Sequence, residues 1–250
     1  IYTLSLHDAL PIYELSKMPA SLAAWFDFDS LPPVHWSDGA GEPADLVDPD
    51  IVRWWVVLAD RLKDPNGRGI IGLYLSLLET TDAAALAGRV VRAWAEQDAH
   101  VGSAMADKGL LAFAVGMDDG ELAGLVRAYM RANPGRRAQF DALVRALCAN
   151  GRDRALQVLL GVARRHKMAG VQATAAALAR EIASERGWSD EELADRTVPT
   201  AGFGGDGLLR LSYGEREFTG RLTPDFKIRI TGPDGRSEEH TSELQSHELI

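Results

Sequence analysis

The sequence predicts a mainly α-helical protein, a HEAT-like α-solenoid followed by a small antiparallel β-meander, with a compact all-helical bundle as the rival to the solenoid. Three observations lead there. From Asp48 onward, apolar residues recur at helical spacing. Beyond Asp118 these stripes return every roughly 15–18 residues, so helix pairs recur about every 34, a period within the range of helical repeats. After Pro199 the apolar period switches from 3.6 to 2.

Each element has its own signal. Residues 13–47 include "SLPPVHWSDGAGEPADLV", rich in Pro, Gly and Asp, and read as an irregular N-terminal segment. Asp48-Pro49 is an N-cap followed by proline at the first helical position. Ile51, Trp54, Trp55, Leu58 and Leu62 then form one helical stripe, and Ile70, Leu73, Tyr74 and Leu77 the next. Ala87, Val90, Val91 and Trp94 follow, then Leu110, Phe113, Ala114 and Met117, and then Leu122, Leu125, Val126 and Tyr129. Phe140, Leu143, Val144 and Leu147 make another stripe, as do Leu156, Leu159, Leu160 and Ala163. Val171, Ala175, Leu178 and Ile182 make the last. Asp118 with Glu121, and Ser189 with Glu192, have the spacing of capping boxes, with Trp188 and Leu193 placed as a hydrophobic staple. Asn133-Pro134 reads as a helix start, whereas Asn150-Gly151 and Gly187 read as stops. The helical region is therefore 48–198.

In 199–235, Leu209, Leu211 and Tyr213 alternate with Arg210 and Ser212. Phe218, Gly220 and Leu222 alternate with Glu217, Thr219 and Arg221, and Phe226, Ile228 and Ile230 with Lys227 and Arg229. Turns at Gly214-Glu215 and at Thr223-Pro224-Asp225 make this a three-stranded meander, the start of a β-containing domain. Its single apolar face is expected to lie against further structure.

The two ends are read differently. "IYTLSLHDALPI", residues 1–12, is a codon-by-codon translation of a short-read sequencing adapter, and "RSEEHTSELQSH", 236–247, translates the partner adapter. Residues 1–12 and 236–250 are expected to be adapter-derived rather than native, with the native start and end outside this window. The whole chain holds 27 basic and 36 acidic residues, net −9, and removing both ends leaves 26 and 31, net −5. That balance gives no electrostatic footprint for nucleic acid. No apolar run approaches the ~18 residues of a membrane span. A single cysteine, Cys148, excludes an intrachain disulfide framework and favours a reducing, cytoplasmic setting.

"KGLLAFA" (108–114), "RRAQFDALVRALC" (136–148), 154–203 and "LLRLSYGEREFTGRLTPDFKIRITGPDG" (208–235) resemble the bacterial domain of unknown function 4132. That family occurs in large proteins similar to a so-called molybdate metabolism regulator, some carrying a WGR domain. "RGWSDEELADRTVPTAGF", 186–203, carries the densest likeness, and Gly204-Gly205-Asp206 departs from the family pattern. The resemblance implies HEAT-like helices leading into an uncharacterised domain. It implies no reaction and no catalytic residues.

Candidate chemistry is sparse. Arg136, Arg137, Arg164, Arg165 and Lys167, with Arg152, Arg154 and His166, form a possible anion- or partner-contact ridge; cations at a helix C-terminus also simply complement its macrodipole. Trp54 and Trp55 fit core packing better than a binding platform. Gly202 to Gly207 is followed by a strand, not by the helix that a phosphate loop requires. Cys148 reads as a small buried hydrophobe, and a pairing with His166 has no support from spacing. His35 and His100 lie in loop-like surroundings, and His7, His240 and His247 fall in the adapter-derived ends. No cofactor and no catalytic or metal site is expected. The function expected is a non-catalytic interaction scaffold within a larger bacterial protein, its partner another protein and neither membrane nor nucleic acid. The alternative is the helical arm and first strands of an enzyme.

Overall fold

The computed structural model describes residues 19–40, 42–97, 107–195, 203, 207–213, 216–225 and 227–232. The expectations for 1–12, 236–250, His100, the Gly214-Glu215 turn, Phe226 and most of the 202–207 loop lie outside those residues. The chain divides into two compact units at Thr197/Val198, and the architecture is mainly helical with small antiparallel sheets.

The helical unit opens with α1 (Ala20–Ala23), a 3₁₀ turn (Phe28–Ser30), and a short hairpin of β1 (His35–Ser37) and β2 (Pro43–Leu46). This stretch, irregular by composition, nevertheless contributes Leu22, Phe26, Val34 and Val47 to the main core. The reason is local: isolated apolar residues set among turn formers bury without needing a periodic stripe.

Next come α2 (Pro49–Leu62), α3 (Ile70–Ser76) and α4 (Thr80–Glu96). Asp48 caps α2, its carboxylate accepting from the Asp50 amide at 2.8 Å, with Pro49 at the first helical position as expected. Lys63, in the left-handed region at φ 52°, ends α2. Glu79 caps α4 by accepting from the Thr81 and Asp82 amides, and those bonds hold its carboxyl below the usual range.

At the centre of the unit is a 3₁₀ helix, Lys108–Val115, where α-helical spacing had been expected. Gly109 to Ala114 are all buried. The segment packs against α2, α3, α4 and the later helix at 137–150 at once. With neighbours on every side, the tighter 3₁₀ winding costs it no amphipathic face, because it has none to lose. Gly109 lies on the carbonyl of Ala59, and Gly67 on that of Ala112, approaches that any Cβ would block.

That hub explains one correction. In α3 the expected stripe of Ile70, Leu73 and Leu77 is exposed, Leu73 by 59%, whereas Ile71, Leu75 and Leu78 are buried. "IIGLYLSLL" is apolar at nearly every position, so periodicity does not choose its face. Contact with the 3₁₀ segment does. In α2 the buried face is likewise turned, to Val52, Trp55, Val56 and Ala59, and Leu62 is half exposed.

The remaining helices are α5 (Asp119–Ala132), α6 (Arg137–Asn150), α7 (Asp153–Arg165), α8 (Ala169–Glu185) and α9 (Asp190–Asp195). Their expected stripes point inward: Leu122 and Val126, Phe140, Leu143, Val144 and Leu147, Leu156, Leu159 and Leu160, and Val171, Ala175 and Ile182 are buried. Asp118 caps α5 through the Glu121 amide at 2.8 Å. Ser189 and Glu192 cap α9 reciprocally, at 3.1 and 2.8 Å. Gly151 and Gly187 both sit at φ +64°, as helix stops require. Asn133-Pro134 does not start α6. Asn133 instead ends α5, its amide donating to the Tyr129 carbonyl at 3.0 Å, and Gly135 at φ +97° delays the next helix to Arg137.

The second unit, described by itself, is the expected meander: β3 (Leu208–Tyr213), β4 (Arg216–Leu222) and β5 (Ile228–Thr231). Its register pairs Leu209 with Gly220, Leu211 with Phe218, Gly220 with Ile230 and Leu222 with Ile228. One face is thus apolar, and Arg210, Thr219, Arg221 and Arg229 line the other.

Two glycines separate hub packing from ordinary helix propensity. Gly109→Ala forces a methyl into the Ala59 carbonyl and is expected to destabilise the helical unit by about 3 kcal/mol. Gly124→Ala, on α5 with open space around it, is expected to stabilise by about 0.5–1 kcal/mol. Denaturant unfolding of the two variants measures both.

Candidate functional site

The five predicted ridge cations come from α6 and from the α7–α8 junction. Arg136 is the N-cap of α6 and Arg137 its first residue; Arg164 and Arg165 close α7, and Lys167 lies in the turn before α8. The packing of α6 against α7 and α8 draws these ends together. The Arg137 guanidinium packs directly on Gly170 in the first turn of α8. The His166 ring meets Phe140 of α6 edge-on at 5.4 Å. Arg136 donates weakly to the Tyr129 hydroxyl of α5 at 3.5 Å. Arg152 and Arg154 are not part of this corner: Arg152 donates to the Met117 carbonyl at 2.8 Å, and the Arg154 amide to Asp119.

The electrostatics of the corner run against local preference. Arg164 and Arg165 complement the negative end of α7, roughly 0.3–1 kcal/mol each. Arg136 and Arg137 stand at the positive end of α6, where there is no acidic residue in the first turn and no side-chain cap. Arg137 also lies at the positive end of α8, which has neither as well. Among the described residues, none of the five forms an ion pair. Elsewhere in the unit Arg53 meets Asp29, Arg68 meets Glu185, Arg92 meets Glu121 and Arg145 meets Asp141.

A second cluster escaped the sequence reading. Asp60, on the last turns of α2, and Asp107, at the start of the 3₁₀ helix, are both buried and in contact. Burial first, then the charge and hydrogen bond of Asp107, raise the Asp60 pKa from 3.8 to about 6, with Lys63 opposing. Gln97 donates to Asp107 at 2.9 Å. Asp60 Oδ1 and Gln97 Oε1 are buried without partners. A proton on Asp60 lets one carboxyl donate to the other, which is what two adjoining buried carboxylates require. No sequence signal links Asp60 to Asp107: their spacing follows no motif, and the packing of the 3₁₀ helix on α2 alone unites them.

The other expectations divide. His35 is not without a partner: its Nδ1 lies 2.8 Å from Asp82 Oδ2, and its backbone amide donates to the same oxygen at 2.8 Å. Trp55 is buried, stacked on Tyr74 at 5.1 Å, while Trp54 is half buried beside the same ring. Cys148 is buried, and burial pushes its thiol above the ordinary value. His166 packs at Phe140, about two helical turns from Cys148, so the structure does not bring the two together. Among the described residues no three His, Cys, Asp or Glu side chains gather as metal ligands. No helix among them is long and apolar enough to cross a membrane.

Comparison with known proteins adds little beyond this geometry. An 88-residue stretch is 35% identical to YehI of Escherichia coli (strain K12), a protein described only as uncharacterised; it amounts to 35% of this chain. The chain spans about 7% of that relative's length. The chain matches no protein-family model, and no solved structure matches it.

The carboxylate pair sets a pH dependence. With its folded pKa above the unfolded value, Asp60 holds a proton in the folded chain that the unfolded chain releases at lower pH. Stability therefore falls as pH rises from about 4 to about 6, and the loss is complete above that window. Asp60→Asn keeps a donor toward Asp107 without the charge. It is expected to raise the melting temperature at pH 7.5 and to flatten the decline between pH 4 and 6, as followed by thermal unfolding monitored by circular dichroism.

Proposed function

We propose that the helical unit is a non-catalytic interaction scaffold of a larger bacterial protein, a HEAT-like array that presents its basic corner to a protein partner. The observation that carries this reading is the cluster of Arg136, Arg137, Arg164, Arg165 and Lys167, which has no carboxylate partner among the described residues where four other arginines of the same unit have one. Positive charge held at the positive ends of α6 and α8 lowers stability, and a site that breaks a local rule in this way is where a binding role is expected.

The repeat reading draws support from packing. α5 touches α7 and α6 touches α8, while α6 also meets α7 and α7 meets α8. Contacts between neighbours and next-neighbours are the arrangement of a two-layer array of stacked helix pairs. The likeness to the domain of unknown function 4132 agrees with this arrangement and suggests no chemistry to set against it.

Crosslinking in the native host, followed by mass spectrometry on the tagged full-length protein, tests the proposal. A stoichiometric protein partner crosslinked through Lys167 or neighbouring positions of α6–α8 is the expected result. Substrate turnover by the purified protein, with no partner recovered, would overturn it.

A further inference from the structure

We infer that the corner formed by the last turn of α5, the first turn of α6 and the α7–α8 junction docks a carboxylate-rich polypeptide segment. The inference rests on the scaffold reading above and names the chemistry of its partner.

Charge complementarity carries it. Residues 122–140 and 154–180 contain no aspartate or glutamate, yet they supply Arg131, Arg136, Arg137, Arg164, Arg165 and Lys167. Arg131, Arg137, Arg164, Arg165 and Lys167 are exposed. Three contacts fix the corner as one locality rather than a line of separate cations: Arg137 on Gly170, His166 on Phe140, and Arg136 at Tyr129. Guanidinium groups present paired N–H donors that match a carboxylate in bidentate fashion, and five of these six cations are arginines.

The surroundings select a polypeptide over a nucleic acid. Duplex DNA carries one charge per ~1.7 Å of axis and gains affinity by neutralising many phosphates along a track. Here the basic surface is bounded by Asp141 one turn along α6 and by Glu181 and Glu185 at the far end of α8, on a chain of net charge −9. A long polyanion leaving the corner meets like charge, whereas a short acidic segment ends within it. A free phosphate would gain little, because the cations stand in solvent, where pairing with a small ion is weak.

Fluorescence anisotropy with the full chain tests this, using a labelled short Asp/Glu peptide, a Ser/Gly peptide of equal length, duplex DNA and inorganic phosphate. Expected are saturable binding of the acidic peptide only, weakening with salt, and a loss of roughly tenfold or more in the triple variant Arg137→Glu, Arg165→Glu, Lys167→Glu. Arg229→Glu, in the other unit, is expected to change nothing. Should the triple variant fail to fold, Arg164→Gln with Lys167→Gln, both exposed, is expected to give a smaller loss in the same direction. Equal peptide binding by the folded variants, no peptide binding, or displacement of the peptide by phosphate or DNA at equal charge would overturn the inference. A crosslinked partner that survives the triple substitution would overturn the docking site while leaving the scaffold standing; turnover without a partner would remove the scaffold itself.

Discussion

Everything in the helical unit depends on burying one short segment, Lys108–Val115, among four helices. Leu110, Leu111 and Phe113 are fully enclosed, each contributing about 1.5–3 kcal/mol. Enclosing a backbone also obliges every carbonyl to find a donor. The end of the segment meets that demand through Asn150, whose amide donates to Ala114 and Met117 at 2.8 and 2.9 Å, and through Arg152 at Met117. The last residue of α6 therefore closes the hub, and the same helix begins, thirteen residues earlier, with the basic corner. Core and candidate site are the two ends of one rigid element.

The hub also accounts for the buried charge. Gly109 brings the 3₁₀ helix onto the last turns of α2, and Asp60 and Asp107 are carried into contact by that approach. The raised Asp60 pKa is a cost of the packing rather than its cause. The basic corner is the opposite case: its cations are largely exposed and, among the described residues, form no ion pair, although carboxylates serve other arginines of the unit. One site buries two carboxyl groups against each other, and the other gathers cations at the protein surface.

How much of this the sequence made legible varies by element, for physical reasons. α4, α5, α7 and α8 have one apolar face each, and in α6 the expected stripe lies within a wider buried surface, so the stripes point inward; Asp48, Asp118, Ser189, Gly151 and Gly187 punctuate the helices as expected. The meander was legible down to which residues share a face, because period-two alternation fixes register. Where a segment is apolar throughout, periodicity loses its information: "IIGLYLSLL" buries the face that the hub selects, and "KGLLAFAV" winds as a 3₁₀ helix. The ridge cations could be named from the sequence, but their convergence depends on α6 lying against α8. The Asp60–Asp107 pair and the His35–Asp82 contact were illegible, since only tertiary packing unites residues 47 apart.

Native-state hydrogen exchange at the amides of Leu111 to Ala114 tests the dependence of the unit on its hub most directly. The account predicts that they exchange only through global unfolding, with the same opening free energy as the buried amides of α4 and α6. Exchange of these amides at a clearly lower free energy, while α4 and α6 stay protected, would contradict it.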